Sequence, residues 1–147
     1  MFRNFFLNRR WFAWSALGSV LILLATWYRV TLDVDINTWF RDFYDMVQKV
    51  LAEPNSISFE EFLLKMLTFG KIAAVYVSIA VLLDFFVRHY VFRWRTAMND
   101  YYTAHWQKLR HIEGASQRVQ EDTMRFARIV EALAVSLLHS VMILFAF

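Results

Sequence analysis

The chain has 147 residues, 59% hydrophobic and 18% aromatic, with 16 lysines and arginines against 13 aspartates and glutamates. A soluble domain averages about 45–50% apolar residues, so an ordinary soluble fold is excluded and the charges must be segregated from the apolar runs. The absence of cysteine rules out disulfides, thiolate catalysis and zinc–sulfur sites, and three glycines with one proline favour an all-α protein over sheets joined by tight turns.

The first predicted element is a membrane span over residues 11–29. Its core, "WFAWSALGSVLILLATWY", carries no charge. Eighteen residues at the α-helical rise give ~27 Å, close to a ~30 Å hydrocarbon core. Trp11 and Trp14 at one end and Trp27 and Tyr28 at the other form the aromatic belts of two interfaces, and Arg10 and Arg29 close the run. The run is too long and bulky for a signal peptide, and no small-residue cleavage site follows it.

Residues 30–65 come next. Asp33 and Asp35 alternate with Val34 and Ile36, and Trp39, Phe40, Phe43, Val47 and Val50 then form a helical stripe. Pro54, Asn55 and Ser56 end it. Ser58 and Glu61 have the capping-box spacing that starts a helix leading into the second span.

The second span is predicted over residues 66–88. It includes Lys71 and Asp84 near its ends, where a lysine can snorkel to the interface and a carboxylate must face protein or water. No breaker follows until Gly114. A helix unbroken from Thr68 to Ile112 would measure ~68 Å, more than twice the bilayer core. It would therefore project into the cytoplasm, with Met98, Tyr102, Trp106, Leu109 and Ile112 as its buried stripe. The chain can turn at Glu113, Gly114 and Ala115. The third span, residues 129–147, is apolar apart from Glu131 and His139 and runs to the last residue, so the chain is expected to be a fragment of a longer protein.

Sidedness follows from lysine and arginine. Between Thr31 and Lys65, three basic residues (Arg41, Lys49, Lys65) meet seven acids. Between Arg88 and Arg128, eight basic residues meet four acids, and the N-terminal tail carries Arg3, Arg9 and Arg10. The expectation is a multi-pass protein with a cytoplasmic N-terminus, residues 30–65 outside and a cytoplasmic loop over residues 89–128. All 147 residues form one transmembrane domain.

Within that loop, "HYVFRWRTAMNDYYTAHWQKLRHIEGASQRVQEDTMRFA" resembles the signature loop of the bacterial SbmA/BacA peptide transporters. The likeness extends more loosely upstream through "TWF.DFYD". It implies the early-middle third of a homodimeric inner-membrane protein with an ABC-exporter-like helix arrangement and no nucleotide-binding domain. Such proteins import peptides and peptide antibiotics, driven by protons.

The resemblance makes Glu131 a candidate proton relay, since glutamates on the family's membrane helices line the central cavity. The residues alone favour an interfacial carboxylate that pairs with Arg128 or reaches back to water. Arg93, Arg95, Gln117, Arg118, Glu121, Asp122 and Arg125 are candidates for a coupling segment. For Arg93 and Arg95, lipid headgroups or structural ion pairs are the alternative, and a solvated helix start is the alternative for Gln120, Glu121, Asp122 and Arg125. Lys71 and Asp84 are intramembrane polar positions.

No histidine pair has metal-ligand spacing. No glycine loop could cradle a phosphate, so no ATP site is expected on this chain. No nucleophile–base constellation points to an enzyme, and neither a cofactor nor nucleic acid is expected as a partner. The partners implied are membrane lipids, a second copy and peptides. Two other functions fit the residues: the membrane subunit of an ABC transporter whose ATPase is a separate chain, and a non-transporting product.

Overall fold

A computed structural model describes residues 3–146, with side chains from Phe5 onward. Phe147, the last residue of the expected third span, lies outside the described residues, as does the side chain of Arg3. Every described element is an α-helix: α1 (Arg3–Phe6), α2 (Phe12–Ala52), α3 (Phe59–Ala104), α4 (Trp106–Leu109) and α5 (Ala115–Ala146). Helices α2, α3 and α5 are each long and apolar enough to cross a membrane. With 41, 46 and 32 residues, they measure ~62, ~69 and ~48 Å.

Two boundaries differ from the sequence expectation. The first span and the stripe around Trp39 are one continuous helix, α2, because nothing between Tyr28 and Trp39 breaks helical backbone and Asn37 returns its side-chain N–H to the Asp33 carbonyl. The second long helix stops at Ala104 rather than Ile112. At His105 the backbone N–H is shared among the carbonyls of Tyr101, Tyr102 and Thr103, and the ring Nδ1 lies 2.8 Å from the Tyr101 carbonyl. That tightened turn ends α3, and α4 resumes for four residues. The expected stripe is accordingly buried only at its start: Met98 is enclosed, whereas Trp106 and Ile112 are exposed.

The turn between α2 and α3 forms where the sequence places it. Asn55 takes a left-handed φ of 69°, a conformation asparagine tolerates better than most residues. Ser58 accepts from the Glu61 N–H while the Glu61 carboxylate accepts from the Ser58 N–H, completing the capping box. Gly114, at φ 73°, makes the turn before α5.

Helices α2 and α3 form a long antiparallel hairpin, tied at intervals along its length. Near its turn, Trp39 donates to the Lys65 carbonyl (2.9 Å) and Lys65 pairs with Asp42 (3.2 Å). Midway, Arg29 lies over the Tyr76 ring and donates to its hydroxyl. At the far end, the Tyr90 hydroxyl lies 2.8 Å from Ser19 Oγ and donates to the Ser15 carbonyl (3.2 Å). Its ring packs so closely on Gly18 that a Cβ there would meet it at 2.6 Å. Helix α5 packs against both arms of the hairpin.

The side-chain core sits at this same far end. Phe5, Trp11, Tyr90, Val91, Trp94, Ala97, Met98 and Ala127 form one buried cluster, with Phe5 between the rings of Tyr90 and Trp94. Its position has a physical reason. Burial of apolar side chains stabilises by about 1.5–3 kcal/mol each only where the alternative is water. Between helices surrounded by lipid, interhelical polar contacts must serve instead, as between Arg29 and Tyr76.

Candidate functional site

The site is a groove of about 820 Å³ bounded by all three long helices. Helical spacing builds each wall. On α5, Arg128, Glu131, Val135 and His139 recur every three or four residues and share a face. On α3, Ala80, Asp84, Val87, Val91 and Arg95 do the same. Thr26 and Arg29 complete the wall on α2.

The charges in this groove divide into two groups. Arg88 holds Asp84 at 2.9 Å and Arg29 is held by Tyr76, while His139 Nε2 lies 3.8 Å from the Asp33 carboxylate, beyond hydrogen-bond reach, and is enclosed without a partner. Glu131, Arg95 and Arg128 have no hydrogen bond or ion pair among the described residues, and the Nε of Arg95 is fully enclosed without an acceptor. Glu131 is half-buried and sits near the middle of α5, ~24 Å along the axis from Ala115. The pairing of Glu131 with Arg128, open from the sequence, does not form.

The groove therefore gathers Glu131, Arg95 and Asp84 from the predicted set, and the rest lie elsewhere. Gln117, Arg118, Glu121 and Asp122 line a separate cleft of about 440 Å³ at the Gly114 turn, where Gln117 donates to Glu121 across one helical turn (3.4 Å). Arg125 is exposed and does not line that cleft. Arg93 lies over the Trp14 ring at 5.1 Å and donates to His89 at 3.4 Å. Lys71 is exposed. Beside the turn cleft, burial and then the neighbouring Tyr101 push the Tyr102 hydroxyl above its ordinary pKa, so it remains a neutral hydrogen-bonding group. Among the described residues no cluster of three histidine or acidic side chains could hold a metal ion.

Sequence reasoning missed Arg29, Asp33, Arg88 and His139 as neighbours of the site. For His139 a signal existed, since it follows Glu131 by eight residues and so returns to the same helix face. Its approach to Asp33, more than a hundred residues away, leaves no local trace.

The arrangement suits charge handling more than bond chemistry: a carboxylate and cationic groups face one another across a partly polar groove through apolar helices. Residues 8–147 match the model of the SbmA/BacA-like family.

Proposed function

The chain belongs to the SbmA/BacA-like family, a family of membrane transporters, and we propose that it carries peptides and peptide-like antibiotics across the bacterial inner membrane into the cytoplasm. The proton gradient drives the import, the N-terminus is cytoplasmic, and a homodimer with an ABC-exporter-like helix arrangement encloses the path. The observation that carries this reading is Glu131, a half-buried carboxylate at the start of the apolar run of α5, facing a groove and with no hydrogen-bond or ion-pair partner among the described residues.

Ionisable residues within membrane helices are costly to bury, and they characteristically face a cavity or the bundle interior where protons and ions pass. A proton taken up from the outer side therefore relieves a penalty, and its release to the inner side restores it. Alternation between the two states biases how tightly α5 sits against the α2–α3 hairpin.

Glu131→Gln preserves size and removes the proton site. It should abolish proton-dependent uptake of a peptide antibiotic in cells, while membrane expression and helix content stay at wild-type levels. Undiminished uptake by Glu131→Gln would reduce the residue to a structural one and remove the main support for proton coupling here.

A further inference from the structure

We propose that Arg95 and Arg128 form a phosphate site for an anionic phospholipid, whose acyl chain lies along the groove between α3 and α5. The inference goes beyond peptide transport and does not depend on it.

It rests on an accounting of the arginines. Four of them line the groove, one from α2, two from α3 and one from α5. Arg29 is satisfied by Tyr76 and Arg88 by Asp84. Arg95 and Arg128 have no protein acceptor among the described residues, Arg95 being half-buried and Arg128 exposed. An oxyanion is the acceptor that guanidinium groups match best. Glu131 lines the same groove but reaches neither arginine within ion-pair distance.

The walls distinguish a lipid phosphate from a free one. From Arg95 the α3 wall continues through Val91, Val87 and Leu83 to Ala80, faced on α5 by Ala132 and Val135. Fifteen residues of α3 give a track of ~22 Å, about the length of an extended acyl chain, apolar except for Arg88 and Asp84, which pair with each other. Phe92, beside Arg95 on this wall, is exposed. Arg95 adjoins Trp94, whose ring meets Phe126 on α5 just before the apolar run that starts at Ile129, so the two arginines lie at the end of the membrane spans where a headgroup sits. Basic pockets between membrane helices on the cytoplasmic side bind anionic headgroups by the same chemistry.

The test is lipid retention by the purified chain, read by native mass spectrometry after exchange into micelles containing phosphatidylglycerol or phosphatidylcholine. Wild type should retain phosphatidylglycerol in preference to phosphatidylcholine. The double variant Arg95→Gln/Arg128→Gln should bind phosphatidylglycerol about tenfold more weakly or worse, and Arg88→Gln, whose guanidinium is already paired, should stay near wild type. Helix content by circular dichroism and partial retention by Arg95→Lys/Arg128→Lys separate loss of the site from loss of the fold.

Equal retention of the two lipids, or full retention by the glutamine double variant in a folded state, overturns the proposal. So does displacement of the lipid by millimolar inorganic phosphate, which would make this a free-anion site, or by a peptide with a free carboxyl terminus but not its amide, which would make it a substrate site. Uptake measurements on Glu131→Gln stand apart, so either reading can fail while the other survives.

Discussion

Single side chains set the tightest constraint at the Gly18–Tyr90 crossing. A methyl group on Gly18 would sit 2.6 Å from two ring carbons of Tyr90, and that ring is fixed by its hydroxyl contacts to Ser19 and Ser15 and by Phe5 against its face. Gly18→Ala is expected to destabilise by about 1–3 kcal/mol, as overpacking of a fixed contact does. Tyr90→Phe, which keeps the packing and loses hydrogen bonds, should cost about 0.5–1.5 kcal/mol. Gly70→Ala is the control: no neighbour lies within 4 Å of the added carbon, and the better helix propensity should leave stability equal or up to ~1 kcal/mol higher. Thermal unfolding in one detergent checks all three, and a Gly18→Ala midpoint at or above wild type would refute the close approach. The sequence shows a glycine at position 18 but not its reason, because the reason is a ring seventy-two positions away.

Among the elements, what could be read from the sequence is what local chemistry decides. Pro54 to Ser56 end α2, Ser58 and Glu61 cap α3, and Gly114 turns the chain into α5. Each works through neighbours a few residues off, so each is visible in the residues themselves. The end of α3 was hidden for the opposite reason: His105 is an ordinary helix residue, and only its ring and its shared backbone N–H close the turn there. The groove was half visible. Glu131 announces itself as a charge in an apolar run, whereas the partition of four arginines into satisfied and unsatisfied depends on Tyr76 and Asp84 reaching them in space.

Sidedness can be tested at this scale. Single cysteines at Glu53, in the α2–α3 turn, and at Ser116, at the start of α5, are both exposed; Glu53 is preferable to Asn55, whose φ of 69° would strain a substituted side chain. An impermeant thiol reagent applied to intact cells should label the first and not the second. The reverse pattern would invert the proposed orientation.

For the whole molecule, the described chain buries little of its own apolar surface. None of the most apolar stretch of α5 is buried and only 6% of that of α3, and Leu82, Phe85, Leu133 and Leu137 are all well exposed. Lipid can cover such residues, but it covers the polar members of the groove poorly. The proposed homodimer would enclose them. Light scattering coupled to size exclusion in mild detergent should therefore give a mass of two chains or more after subtraction of the micelle. A stable, monodisperse single chain would remove the support for dimerisation as the way these faces are covered.

The length of the α2–α3 hairpin has a mechanical consequence. The only proline of the chain, Pro54, lies in the turn and not in either arm, and the arms are fastened to each other near the turn, at Arg29–Tyr76 and at Ser19–Tyr90. A pair of helices joined in this way bends little and tilts as one lever. With an arm of ~69 Å pivoting near its middle, a tilt of about 10° carries each tip roughly 6 Å, in opposite directions on the two sides of the bilayer. In the proposed transporter, opening at one face would then be tied to closing at the other, with the hydrogen bonds of the hairpin intact.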